Sequence, residues 1–225
     1  MSFCFLNESP GKSLDKSEIP VVFIPGWGFD ARIISFYDFF HGEQMIVPRG
    51  FVRPTDACSN LFSFLGENGI EKVKIVGWSM GANVGLDFAC RNEERVASLD
   101  LLSMRKKWPK GDVDSIRHGI CNDLSGFMRG FYRKCFLGYR KEYNEFSSHL
   151  QDEYLNELHV DTLLSGLDYL EQFTLPVIPS SVEVHLIHGA KDIVAPVEER
   201  AVFTGIKETL FPSGGHGVLF DYVAQ

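Results

Sequence analysis

Short runs of Val, Ile and Leu that end in Gly, Ser or Pro recur along the chain. They are Val21 to Ile24, Met45 to Val47, Val73 to Val76, Val96 to Leu102 and Val182 to Ile187, with a weaker sixth at Thr209 to Phe211. Unbroken apolar runs, as opposed to alternating ones, are the pattern of parallel strands covered on both faces. Between them, Cys58 to Gly66 and Gly81 to Arg91 can hold helices, so the pattern predicts a three-layer α/β fold around a mostly parallel sheet. The alternation stops after Met104 and resumes only near Val182. The stretch 105–175 carries helical periodicity and no convincing strand, and is expected to form a helical lid on a core built from 1–104 and 176–225. Such an insertion would stand beside the carboxyl edge of the strands, where ligands of open α/β sheets bind. No internal repeat, Gly/Ser linker or low-complexity tract interrupts this organisation.

Composition narrows the picture. A chain of 225 residues, 44% hydrophobic and 13% aromatic, can bury a sizeable core, which excludes a disordered or fibrous protein. The formal charge of −8 gives no general attraction to nucleic acid or to an anionic membrane. Cys4, Cys58, Cys90, Cys121 and Cys135 are odd in number, scattered and free of C-x-x-C spacing, so neither a disulfide framework nor a zinc site is indicated. Met1 to Pro20 lacks the basic and apolar regions of a secretion signal, and no run of apolar residues is long enough to span a bilayer. The expectation is a soluble cytoplasmic monomer.

The sharpest chemical signal is Gly77-Trp78-Ser79-Met80-Gly81, a G-x-S-x-G pentapeptide between a predicted strand and a predicted helix. That context is what a nucleophile elbow requires, because the turn that lifts the serine hydroxyl off the sheet has no room for side chains two residues to either side. A serine needs a base, and in this arrangement an acid and then a histidine follow it in chain order. Asp192, in His188-Gly189-Ala190-Lys191-Asp192, and His216, in Ser213-Gly214-Gly215-His216-Gly217, fall where those two belong. The glycines around His216 are expected to free the backbone to aim the imidazole. His185 lies inside a strand and reads as structural, whereas His188 is the rival base. Pro25-Gly26-Trp27-Gly28 follows the first clear strand, and the backbone N–H groups of Trp27 and Met80 are the candidate donors to a developing oxyanion. The plainer alternatives are a chance pentapeptide, a solvated loop carboxylate at Asp192 and a tight turn at Gly26 and Gly28. No metal or cofactor is needed.

Taken together, the Gly26-Trp27-Gly28 loop, the Gly77-Trp78-Ser79-Met80-Gly81 elbow, the helical stretch, His188-Gly189-x-x-Asp192 and Gly214-Gly215-His216-Gly217 resemble an α/β-hydrolase. Within that superfamily the chain is most similar to the biotin-pathway carboxylesterases that demethylate pimeloyl-acyl-carrier-protein methyl ester. The similarity runs from Val21 to Phe220. Two features depart from the pattern: a first strand near residue 21 leaves little room for opening antiparallel strands, and the final helix is expected to be short or missing.

Between Arg105 and Lys141 ten basic residues face three acidic ones, Asp112, Asp114 and Asp123, so the segment is +7 and the remainder −15. Arg129, Arg133 and Arg140 are spaced by four and seven, which places them on one helical face, opposite Phe127 and Phe131, provided the helix does not break at Gly138. The resemblance implies that lid arginines contact an acidic acyl carrier protein. Arg129 and Arg133 match that region best; Lys134, Arg140 and Lys141 match it more loosely. Phe127, Phe131, Tyr132 and Phe136, with Trp27, are candidates to line an apolar acyl site, although a core role suits most of them. The function implied is a serine carboxylesterase. The alternatives are a general short-chain carboxylesterase or thioesterase, a menaquinone-pathway lyase, or a noncatalytic binder of an acidic protein.

Overall fold

The computed structural model describes residues 2–6, 18–35 and 43–222; much of the polar opening stretch (7–17), together with 36–42 and 223–225, lies outside the described residues. Among the described residues seven strands form one sheet: β1 (Phe3–Leu6), β2 (Val21–Ile24), β3 (Met45–Pro48), β4 (Val73–Trp78), β5 (Val96–Leu102), β6 (Glu183–Gly189) and β7 (Lys207–Phe211). Their spatial order is β1-β3-β2-β4-β5-β6-β7, with every pairing parallel except that of β1 with β3. The six apolar runs are the six parallel strands. All four residues of β2 and all four of β3 are buried, as a sheet covered on both faces demands.

Two expectations are corrected. An antiparallel strand does open the fold: Phe3–Leu6 pairs with Met45–Pro48, because four residues suffice for an edge strand that borrows its register from a buried neighbour. The first long helix, α1 (Pro54–Glu67), starts four residues before Cys58, since proline at the first helical turn has no N–H to waste.

Helix α2 (Met80–Arg91) lies on one face of the sheet, where Gly85 approaches so closely that an added Cβ would stand 3.0 Å from Ile75 Cγ2 and 3.3 Å from Leu99 Cδ1. The other face is polar in its amino-terminal half. Ser98, Asp100 and His185 point there from neighbouring strands, and the last described helix, α8 (Leu219–Tyr222), spans only four residues. Tyr222 donates to Asp100 across that face at 2.5 Å.

Between β5 and β6 come five helices, α3 (Lys110–Asn122), α4 (Leu124–Cys135), α5 (Arg140–His149), α6 (Gln151–Glu157) and α7 (Val160–Gln172). An aromatic cluster joins them to the core. Phe29, in the loop after β2, lies 4.7 Å from Trp78, 5.0 Å from Tyr132, 5.8 Å from Phe146 and 6.3 Å from Tyr154, ring centre to ring centre. No described helix is long and apolar enough to cross a membrane.

Candidate active site

Strand β4 passes into α2 through one residue, Ser79, whose backbone stands at φ 56, ψ −120. A positive φ in a residue with a side chain costs on the order of 1–3 kcal/mol and survives only where the surroundings dictate it. Here they do. Ser79 N–H donates to Leu102 O at 2.7 Å, and Ser79 O accepts from Ala82 N–H at 2.9 Å. A side chain on Gly77 would strike Gly81 O and Ala82, and one on Gly81 would strike the carbonyl of Ile24, so both outer glycines of the pentapeptide are steric necessities.

Asp192 follows β6 by three residues, and its Oδ1 accepts the backbone N–H groups of Val194 and Ala195, each at 2.8 Å. Its Oδ2 lies 2.9 Å from His216 Nδ1, and His216 Nε2 lies 3.0 Å from Ser79 Oγ. Since Nδ1 faces a carboxylate, it carries the proton, leaving the Nε2 lone pair to accept from the serine hydroxyl. Asp192 is 5% exposed and His216 2%. Burial pushes the Asp192 carboxyl up, but the charge of His216, its hydrogen bond and that of Ala195 N–H outweigh burial and hold the group below the usual carboxylate value.

His188, the rival base, is bonded elsewhere than to the serine. Its Nε2 donates to Ala195 O at 2.8 Å, and its buried Nδ1 has no hydrogen-bond partner among the described residues. Burial lowers its pKa below the ordinary 6.5. A histidine kept neutral in the fold binds fewer protons than in the unfolded chain, so the stability it contributes is present above the ordinary histidine value and is lost as pH falls toward its lowered one. His188→Gln, which keeps a donor to Ala195 O, should therefore flatten the decline of the urea midpoint between about pH 7 and 5 relative to the parent. Parallel profiles would place that acid sensitivity elsewhere. His185 is held by Thr209 Oγ1 at 2.8 Å, within the sheet.

Met80 opens α2, where backbone N–H groups have no partner inside the helix. Gly26 lies against the nucleophile residue, an added Cβ falling 3.1 Å from Ser79 Cβ, and Trp27 follows it in the chain. Among the described residues neither amide is taken by another acceptor. The Trp27 side chain is committed to packing: its Nε1–H donates to Leu163 O at 2.9 Å, and its ring meets Phe131 edge-on at 5.0 Å.

The residues of the helical insertion divide. Phe127 and Phe131 line a cavity of about 580 Å³ between α3, α4 and the loop after Asp192, together with Trp108, Lys134 and Val194. Tyr132 and Phe136 are buried in the aromatic cluster instead, and the Tyr132 hydroxyl donates to Gly28 O at 2.9 Å. The shared arginine face is not formed. Helix α4 ends at Cys135, Gly138 takes φ +96, and Arg140 begins α5, so it has its own direction. Arg129 pairs with Asp152 at 2.7 Å and Arg133 Nε donates to Tyr143 at 3.2 Å, while Arg140 is exposed.

Three supports of the site were not legible in the motifs. Trp78 Nε1–H and the hydroxyl of Ser103 both donate to the His216 carbonyl, at 2.8 and 3.1 Å, and Tyr139 donates to Asp221 and accepts from Gly215 N–H. Trp78 sits inside the elbow and Ser103 at the end of a strand, so position alone pointed to them; nothing marked Tyr139.

No protein-family model and no curated protein sequence matches the chain. Solved structures do. An α/β hydrolase, MGS-M2, from a Medee basin deep-sea metagenome library superposes with TM-score 0.75 at 15% identity over 97% of this chain and 88% of that one. An esterase from Exiguobacterium antarcticum gives 0.71 at 17% identity over 98% and 90%. A bromoperoxidase from Bacillus anthracis gives 0.74 at 16% identity over 92% and 88%. At such identities the likeness establishes the fold, which is that of the α/β hydrolases.

Proposed function

We propose that the chain is a serine carboxylesterase. The observation that carries this reading is the continuous relay from Asp192 Oδ2 through His216 to Ser79 Oγ, with links of 2.9 and 3.0 Å, built on a strained strand-to-helix turn. His216 Nε2 takes the Ser79 proton as the oxygen attacks the ester carbonyl. The oxyanion rests on the N–H groups of Trp27 and Met80, His216 returns the proton to the departing alkoxide, and water then hydrolyses the acyl-enzyme by the same steps. Asp192 holds the imidazole in the required tautomer and stabilises its charged form. The esterase among the structural neighbours supports this chemistry, and a fluorophosphonate probe tests it: labelling should occur at Ser79 and disappear in Ser79→Ala.

For the substrate, we infer the methyl ester of pimeloyl-acyl-carrier protein, hydrolysed to pimeloyl-acyl-carrier protein and methanol in biotin synthesis by a cytoplasmic monomer without cofactor. Support comes from the motif resemblance and from the turn between α4 and α5. There Leu137, 53% exposed, is ringed in sequence by the exposed Arg133, Lys134, Arg140 and Lys141, a surface that suits an acidic carrier delivering its acyl group on a long arm. The 580 Å³ cavity beside Phe127 and Phe131, which borders the loop after Asp192 at Ile193 and Val194 and is not lined by Ser79 or His216, is the proposed seat of the far end of the aliphatic chain.

Arg133→Glu combined with Arg140→Glu is expected to raise KM for the carrier ester roughly tenfold, about 1.4 kcal/mol, at low salt while leaving p-nitrophenyl butyrate hydrolysis unchanged. Methanol release and nitrophenol release, measured side by side, read the two arms. Equal effects on both substrates would remove the docking role; cleavage of the small ester alone would leave an esterase with a different acyl group.

A further inference from the structure

The turn between α4 and α5 also bears directly on the histidine loop. The Tyr139 hydroxyl donates to Asp221 Oδ2 at 2.5 Å and accepts from Gly215 N–H at 3.2 Å. The Tyr139 ring covers Gly217, where an added Cβ would fall 2.8 Å from Tyr139 Cδ2, and lies 5.5 Å from the ring of Phe220. The carbonyl of Leu137 stands 2.5 Å from where a Cβ on Gly215 would be, and the Tyr139 hydroxyl 3.2 Å from one on Gly214.

These contacts revise the reason for glycine on both sides of His216. None of Gly214, Gly215 and Gly217 takes a positive φ, so the loop does not use them for backbone freedom. At Gly215 and Gly217 it uses them for thinness, the insertion packing against bare backbone with no side chain between; at Gly214 a Cβ would first meet Phe211 Cβ at 2.9 Å and Asp221 Oδ2 at 3.0 Å, both of the core. From the opposite side, Trp78 Nε1–H and Ser103 Oγ–H fix the His216 carbonyl. The residue that aims the imidazole is therefore gripped from the sheet through its own carbonyl and from the insertion through its neighbour's N–H.

We propose that Tyr139 is a positioning residue for His216, and that the α4–α5 turn braces the histidine loop so that Nε2 is held within hydrogen-bond reach of Ser79 Oγ. Displacement of a reacting group by about an ångström costs on the order of a hundredfold in rate. The hydroxyl is the part of Tyr139 that can set such a position, because it bonds the loop backbone and is itself anchored by a carboxylate on α8. The consequence is that the same turn carrying the exposed basic residues touches the base of the relay. The inference rests on the serine-hydrolase reading for its kinetic readout but not for its geometry.

Tyr139→Phe keeps the ring and removes both hydrogen bonds. In the full chain, assayed well below its melting temperature, it should lower kcat on p-nitrophenyl butyrate roughly ten- to hundredfold and slow fluorophosphonate labelling of Ser79 by the same factor. KM should stay within about twofold, since the cavity is untouched. The His216 Nδ1 proton, followed by NMR, should exchange faster with water than in the parent. Asp221→Asn, which weakens the anchor without entering the core, should move every readout in the same direction by less, and serves as the test if Tyr139→Phe does not fold.

Labelling at the parental rate with an unchanged Nδ1 proton would overturn the proposal, whether or not the melting temperature falls, since a purely structural bond would shift melting alone. If the parent itself fails to label, the hydrolase reading falls, and the Nδ1 exchange comparison still decides whether Tyr139 holds the loop.

Discussion

Replacing Ser79 by alanine should lower kcat on p-nitrophenyl butyrate by a factor on the order of 10⁴ to 10⁶ while leaving the melting temperature close to that of the parent. The two halves of this expectation come from different atoms. The turn is held by backbone bonds, Ser79 N–H to Leu102 O and Ala82 N–H to Ser79 O, and by the contacts of Gly77 and Gly81, none of which involves the hydroxyl. The hydroxyl has one protein partner among the described residues, His216 Nε2 at 3.0 Å, so removing it leaves the fold intact and the base with nothing to deprotonate. On the proposed mechanism, some rate should remain from the amides of Trp27 and Met80. Purification from a host lacking other esterases and active-site titration make the measurement decisive. A loss under tenfold would take Ser79 out of the chemistry.

What the sequence made legible follows from how each feature is written. Buried parallel strands write themselves as uninterrupted apolar runs, and Val96–Leu102 and Val21–Ile24 can be read to the residue. The elbow is written in glycines that only a crowded turn requires. The edge strand Phe3–Leu6 was missed because four residues carry little periodicity and its partner lies some forty residues away in the chain. The arginine face failed for a local reason: a spacing of seven predicts a shared face only in an unbroken helix, and Gly138 at φ +96 breaks it. The hardest feature to read was the purpose of Gly214, Gly215 and Gly217. Glycine permits both unusual dihedrals and close approach, and a sequence does not say which; Leu137 and Tyr139, some seventy-five residues earlier, settle it for Gly215 and Gly217, and Phe211 and Asp221 for Gly214.

The contacts between insertion and core are polar as well as aromatic, and they cluster around the loops that carry the site. Arg32 pairs with Asp30 at 2.8 Å and reaches Glu153 at 3.1 Å and Glu157 on α6, while the Tyr154 hydroxyl donates to Asp30 at 2.7 Å. On the opposite side Arg105, 6% exposed, joins Asp112 on α3 to Glu199 and stacks over Trp108. The loop that offers Trp27 and the loop that follows Asp192 are thus each tied to a different helix of the insertion. Removing the insertion would loosen both.

Asp192→Asn should lower kcat by a factor on the order of 10⁴ with little change in KM. The substitution separates the two tasks of the carboxylate. Its Oδ1 accepts the N–H groups of Val194 and Ala195, and an asparagine oxygen placed there can accept both again. The other position then becomes an NH₂ group facing His216 Nδ1, which must accept instead of donate. The ring proton is forced onto Nε2, and an N–H points at Ser79 Oγ where a lone pair is needed. The fold loses a charge-assisted hydrogen bond, costing about 1–3 kcal/mol, whereas the reaction loses its base. Asp192→Ala, by contrast, abandons the two backbone N–H groups as well and should lower the urea midpoint further than asparagine does while lowering kcat no more. If asparagine cost less than tenfold in kcat, the orientation of His216 would have to be set by the grip of Trp78 and Ser103 on its carbonyl and of Tyr139 on the Gly215 N–H alone.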